Sequence, residues 1–167
     1  MELRRDGRDQ LVLRALVVSG AAGSLLTTGC GGPSKPPPAG TVELRFSVAD
    51  TVRTSPNLKN PLTGVAYGAI FLTEDVSIGG PRTGADSFGD VAVDGVDCRA
   101  GVSDQSLVMS LAPGQYTFLG FFDVNANGSV TRDPDAGDPA TLPFTNKFEI
   151  VDTQQTKRLV LFDLLYN

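Results

Sequence analysis

Hydrophobic and polar positions alternate with a period of two over much of the chain after residue 40, the pattern of strands with one face in a core. In TVELRFSVAD (41–50), Val42, Leu44, Phe46 and Val48 share one side while Glu43, Arg45 and Ser47 share the other. VAYGAIFLT (65–73) is apolar on both sides, which predicts a central strand, with Gly68 marking a bulge or a close backbone approach. Ser106–Leu111 reads as a short strand, and Gln115–Phe122 is the strongest strand of all. Thr145–Val151 and Arg158–Leu165 complete the set, joined by the turn VDTQQTK. Between 74 and 97 the pattern is less regular. Gly79-Gly80-Pro81 signals a turn, and Asp94-Gly95 signals a tight hairpin turn. Phe118 and Leu161 are expected in or near the core. No amphipathic helix period stands out after residue 40. Six to eight short strands with Gly/Pro turns predict an all-β domain over 41–167, an antiparallel β-sandwich of about seven strands.

The first 40 residues follow a different pattern. Arg4, Arg5, Arg8 and Arg14 outweigh Glu2, Asp6 and Asp9, and an uncharged run, ALVVSGAAGSLLTT, fills Ala15–Thr28. That run is shorter than the roughly 20 residues a membrane-spanning helix needs, and it suits the apolar region of a signal peptide. Gly29-Cys30 and then GGPSKPPPAG follow. The arrangement resembles a bacterial lipoprotein signal, with Thr27 where Leu is usual. The resemblance implies a signal peptide over 1–29, removed after Gly29, and a Cys30 that becomes the lipidated N-terminus carrying acyl chains such as palmitate. Asp after that Cys often marks inner-membrane retention in such lipoproteins. Gly31 stands there, which implies the outer membrane. Cleaved secretion without lipid, and a cytoplasmic chain with an ordinary Cys30, are the alternatives. Residues 30–40, rich in Gly and Pro, read as an extended tether.

Composition narrows the chemistry. The chain has 167 residues, 14 Lys+Arg against 19 Asp+Glu, two Cys and no His. Without His there is no imidazole base and no His-ligated zinc. Setting aside 1–29 leaves ten basic and 16 acidic residues. That balance argues against a nucleic-acid partner. The expected partners are a membrane, through the N-terminal lipid, and an envelope protein.

GVAYGAIFLT, LAPGQYTFLGFFDVNANG and the closing FEIV…LVLFDLL are together similar to transthyretin-like or carboxypeptidase-regulatory-like sandwiches. In these a "PPG-Y" hairpin feeds a long strand, and Pro113, Gly114 and Tyr116 match its positions. The resemblance implies an adhesive, structural or accessory module. An immunoglobulin-like sandwich is the near neighbour.

The best local signal for chemistry is Asp123-Val124-Asn125-Ala126-Asn127-Gly128-Ser129. Oxygen-bearing side chains at positions 1, 3 and 5 with Gly at 6 begin a calcium loop. Gly128 is expected to take the positive φ of the turn, and Ser129 to offer its carbonyl. The twelfth position is Pro134, so Asp133 or Asp135 must swing back to supply a second charge, with Asp138 beyond them. The candidate cofactor is calcium, held by Asp123, Asn125, Asn127, Ser129, Asp133 and Asp135. A solvated Asn/Gly turn is the bland alternative. Cys98 reads as a buried inert thiol, or as the partner of Cys30 in a disulfide if Cys30 is not acylated. Glu74-Asp75 offers carboxylates at a strand end, while Ser103, Ser106, Lys147 and Lys157 offer hydroxyls and amines without a motif around them. The expected function is that of a lipid-anchored, noncatalytic cell-envelope module. The alternative is a small envelope hydrolase using carboxylate chemistry.

Overall fold

Alternation becomes two sheets packed face to face. The computed structural model describes residues 39–58, 61–128 and 132–166, so the expected signal peptide over 1–29, Cys30 and Ser129 lie outside the described residues. In chain order the elements are β1 (Gly40–Val48), α1 (Asp50–Arg53), β2 (Thr63–Leu72), a 3-10 turn (Thr73–Asp75), β3 (Val76–Ser77), β4 (Gly80–Pro81), β5 (Asp90–Asp97), β6 (Val102–Leu111), β7 (Gly114–Asp123), β8 (Pro139–Ala140), β9 (Lys147–Ile150), β10 (Gln155–Phe162) and β11 (Leu164–Leu165). One sheet has the order β10-β1-β6; the other has β11-β8-β7-β2-β5, with β9 also paired to β7. β3 and β4 form a small separate hairpin. The described residues form an all-β sandwich. No helix among the described residues is long and apolar enough to cross a membrane.

The apolar stripes meet between the sheets. Val42, Leu44, Phe46 and Val48 of β1 and Val160 and Phe162 of β10 face Ala66 and Ile70 of β2 and Tyr116, Phe118 and Phe122 of β7, all buried. Four rings form a chain across the interface. Phe122 stacks on Phe162 at 5.6 Å, Phe162 on Phe46 at 6.2 Å, and Phe46 meets the edge of Phe118 at 6.4 Å. Such pairs add about 0.5–1.5 kcal/mol each beyond burial. Gly68 does mark a close approach. It stands opposite Gly120 in the β2–β7 register, and a Cβ at either position would run into the Phe118 ring or the facing backbone.

Four details depart from the sequence pattern. β1 runs parallel to β10, although its other neighbour β6 and the remaining pairs are antiparallel. Period two fixes faces and leaves strand direction open, since direction depends on the route the chain takes between sheets. Asp94-Gly95 is no hairpin turn. Gly64 pairs with Val96 and Ala66 with Val93, so Asp94 and Gly95 bulge out inside β5, with Gly95 at φ 67°. Leu161 is half-buried on the far side of β10, and Phe162 takes the core position. The connection between β1 and β2, where no helix period stands out, holds the four-residue α1. Its Val52 is buried, and the Arg53 guanidinium donates to the carbonyls of Val48, Cys98 and Gly101, tying β1 to the turn after β5.

Cys98 is a free, fully buried thiol, and burial pushes its pKa up to about 11. Asn146 is fully buried beside the edge of β10. Its amide donates to the Leu161 carbonyl at 3.0 Å and accepts from the Leu161 N–H at 2.8 Å, standing in for a strand.

The turn from β6 to β7 is fastened by Tyr116. Its hydroxyl donates to the Ala112 carbonyl at 3.0 Å, while its ring stacks on Phe148. Pro113-Gly114 therefore sits inside a loop closed by a side chain from the strand it feeds. Tyr116→Phe keeps the ring and removes the bond. It is expected to cost about 1 kcal/mol, with the upper end near 2 because the carbonyl loses its partner. Urea unfolding of the two proteins measures this as a lower midpoint at unchanged slope.

Candidate functional site

β7 is paired along both sides: β2 on one, β9 and then β8 on the other. Its last residue, Asp123, is therefore delivered on a rigid strand to the end of the sheet. The far end of the 123–138 loop is fixed as firmly. Gly137 N–H donates to the Tyr166 carbonyl and Tyr166 N–H to the Asp138 carbonyl, both near 2.9 Å. β8 then pairs with β11.

Asp123 is 1% exposed. One carboxylate oxygen accepts from Asn125 N–H at 3.2 Å and the other from Gly128 N–H at 2.9 Å. The Asn125 side-chain oxygen accepts in turn from Asn127 N–H at 3.1 Å. The backbone is thus wound around its own alternate oxygens. The sequence pattern misplaces the strained residue. Ala126 takes the positive φ, 64°, and Gly128 does not. Gly128 is small for another reason: a Cβ there would press on the Asp123 carboxylate and the Phe121 ring.

Asp135 returns to the first turn. Its carboxylate accepts from the Asn125 amide at 3.1 Å and from the Asn127 amide at 2.8 Å. Asp133 is exposed and lines a groove described below. Ser129 falls outside the described residues. Asp123, Asn125, Asn127 and Asp135 thus come together, and the structure adds Asp138, to which the sequence pattern gave only a minor place. Asp138 is fully buried; its carboxylate accepts from Val124 N–H at 3.3 Å and Asp135 N–H at 3.2 Å. The available clue was its place directly after Gly137, where the chain turns back toward β7.

Burial, reinforced by the hydrogen bond to the Asp135 carboxylate, pushes the Asp138 pKa up to about 6. The same bond, with the Asn127 amide next, holds Asp135 below the usual carboxylate range. One proton shared toward Asp135 accounts for both directions. Among the described residues no three Asp, Glu or Cys side chains converge as an ion-holding group by themselves. A cation here would draw on amide and backbone oxygens as well. All of these donors are hard oxygens, which suits calcium. The other candidates are scattered: Glu74 and Asp75 lie in the 3-10 turn, and Lys157 pairs with Glu43 at 3.6 Å.

The loop also walls a groove of about 920 Å³ on the outer face of the larger sheet. Its lining includes Tyr67, Ala69, Phe71 and Leu119, together with the hairpin residue Ile78 and with Arg132. Arg132 pairs with Asp90 of β5 at 3.9 Å.

No family model and no curated protein matches the chain. Among solved structures, 78% of the chain superposes on a leucine-rich repeat protein from Bacteroides thetaiotaomicron with a TM-score of 0.38 and 14% identity. The chain spans 15% of that protein, and the likeness carries no argument.

The loop's titration has a sign that can be measured in chelator. Asp138 binds its proton more tightly folded than unfolded, so stability falls as pH rises from about 4 to about 6. Asp135 acts oppositely, its contribution being lost as pH falls below about 4. Urea midpoints across this range are expected to peak near pH 4 for this pair. Asp138→Asn is expected to flatten the upper limb, and an unchanged limb would mean another group causes it.

Proposed function

We propose that this chain is a lipid-anchored, noncatalytic cell-envelope module of the outer membrane, with a structural, adhesive or accessory binding role, and that calcium stabilises its 123–138 loop. The anchor rests on the sequence: the Arg-bearing start, the uncharged run and Gly29-Cys30 ahead of a Pro-rich tether. The observation that carries the noncatalytic role is how the domain uses its buried carboxylates. Asp123 and Asp138 both spend their oxygens on backbone N–H groups of their own loop, which is the work of a structural clasp. The apolar groove beside the loop supports an accessory binding role, since ligand sites are concave and mostly apolar. A finer relationship to transthyretin-like sandwiches belongs to the same proposal; the Pro113-Gly114-x-Tyr116 turn supports it.

The hydrolase alternative draws on one observation, the opposed pKa directions of Asp135 and Asp138. Such a split marks acid/base pairs in enzymes. Asp138 is fully buried, however, so its proton reaches a substrate only if the loop opens.

Calcium would be held by Asp123, Asn125, Asn127 and Asp135, with the Ser129 carbonyl and Asp133 as further oxygens. The two Asn amides would turn their oxygens inward. With few carboxylates, affinity falls near the roughly 10⁻⁴–10⁻³ M of extracellular modules. Occupancy at millimolar calcium then stabilises the fold by mass action.

Two measurements test the proposal. Intact mass of the membrane-extracted protein is expected to begin at an acylated Cys30, with Cys30→Ser abolishing the added mass. An unmodified Cys30, or a retained 1–29, overturns the anchor. Independently, a thermal melt in millimolar calcium is expected to lie above that in chelator, and Asp123→Ala to erase the difference. Equal midpoints with no heat of calcium binding return the loop to a plain Asn/Gly turn.

A further inference from the structure

Every open sheet presents unpaired N–H and C=O groups at its edges, and stable proteins protect them. This sandwich protects its edges unequally. The β10 edge is closed by Asn146, which takes both backbone groups of Leu161, and by Arg158, which donates to the Thr145 carbonyl at 2.6 Å. The β5 edge is broken by the Asp94-Gly95 bulge and carries Asp90, Asp94 and Asp97. β11 is two residues long.

β6 differs. Its 10 residues pair only with β1, and among the described residues no backbone group of 102–111 bonds to anything on the strand's other side. The Val102 end is disturbed: Arg45 pairs with Ser106 and Ser47 with Val102, and the Arg45 guanidinium holds the Ser103 carbonyl. From Ser106 to Leu111 the strand is regular, uncharged, and free of Pro and Gly. Val108, at its middle, is 57% exposed on the outer face.

We propose that β6 is a self-association edge, and that two copies of this chain pair β6 with β6 antiparallel about a twofold axis at Val108. What fits an unpaired strand edge is another strand, and the residue pattern selects a second copy. In the register centred on Val108, Val108 meets Val108 of the other copy. Ser106 meets Ser110, Leu107 meets Met109, and Gln105 meets Leu111. Opposite residues of an antiparallel pair share a face. The two exposed valines thus cover one another on the outside, while Leu107 and Met109, half-buried in each copy, continue the inner layer. Asp104 falls opposite Ala112, so no like charges oppose each other along the seam. The result is a continuous six-stranded sheet, β10-β1-β6 followed by β6-β1-β10. A pairing of seven residues per strand, 105–111, is small beside a standard interface of roughly 1,200–2,000 Å², so the association depends on concentration. Each copy carries net negative charge, so added salt strengthens it by screening.

The test uses the full chain in detergent, by sedimentation equilibrium over a range of protein concentration and salt. A monomer–dimer equilibrium that tightens with salt is expected. Val108→Lys places two cations opposite each other at the axis, on an exposed position that does not disturb folding. It is expected to weaken dimerisation about tenfold or more, while Ile78→Lys, on the exposed β3–β4 turn, leaves it unchanged. In the Cys30→Ser chain, Val108→Cys is expected to form a disulfide-linked dimer under mild oxidation, and Val102→Cys to form little. A chain that stays monomeric throughout overturns the proposal. So does a dimer that survives Val108→Lys, since association through the N-terminal segment would behave that way. Trapping at Val102→Cys as efficient as at Val108→Cys overturns it too.

Discussion

The fold turns on a steric fit in the middle of β7. Phe118 lies over Gly68 and Gly120, which face each other across β2 and β7, and neither position has room for a Cβ. Because the ring lies down there, its edge meets Phe46 of the opposite sheet, and Phe46 then stacks on Phe162 and Phe162 on Phe122. The spacing of the sandwich and the register of β7 against β2 are therefore one constraint. Shifting β7 by one residue would turn Phe118 and Phe122 outward and bring Leu119 and Phe121 in. It would also move Asp123 off its place beside Val65, where the loop begins.

Faces were legible in the sequence because the side-chain period of a strand is a local property. Val42, Leu44, Phe46 and Val48 pointed inward as their alternation required, and Phe118 with them. Direction and partner were not legible. The parallel pairing of β1 with β10 joins residues more than a hundred positions apart, and nothing in TVELRFSVAD distinguishes a parallel neighbour from an antiparallel one. Leu161 shows the limit of the face argument itself. LVLFDLL is apolar at nearly every position, so alternation cannot choose a side, and the aromatic contacts of Phe162 decide it. Asp94-Gly95 failed for the opposite reason. A left-handed glycine serves a hairpin turn and a bulge equally well, and the continuing pairing of Val96 with Gly64 makes it a bulge.

The loop was legible in its first half. Alternate oxygens starting at Asp123 read as a turn, either opening a calcium loop or solvated; the structure winds that turn on the Asp123 and Asn125 oxygens, and the returning Asp135 was one of two named candidates. What the pattern missed concerns space. It assigned Gly128 to conformation, yet Gly128 is needed for room beside Asp123 and Phe121, while Ala126 bears the left-handed φ at a cost of about 1–2 kcal/mol. It also undervalued Asp138, because burial of that side chain depends on β11 closing over β8 from the far end of the chain.

Asp138 sets the terms for the loop. A buried carboxylate without compensation is too costly to keep charged, and two N–H donors at 3.2–3.3 Å offset only part of that cost. Beside it stands Asp135, whose own charge is favoured by the amides of Asn125 and Asn127. Two remedies are open to such a pair. One is a shared proton, the state expressed by a pKa near 6 on Asp138. The other is a cation, which the proposed calcium would provide through the ring of oxygens begun by Asp123. The remedies exclude each other, because a cation lowers the pKa that the proton needs. At neutral pH the proton is largely lost, so the pair's charge is only partly compensated when no cation is bound. A hard cation in the loop would therefore add more stability at pH 7 than at pH 4, the direction that distinguishes an ion site from a turn that only resembles one.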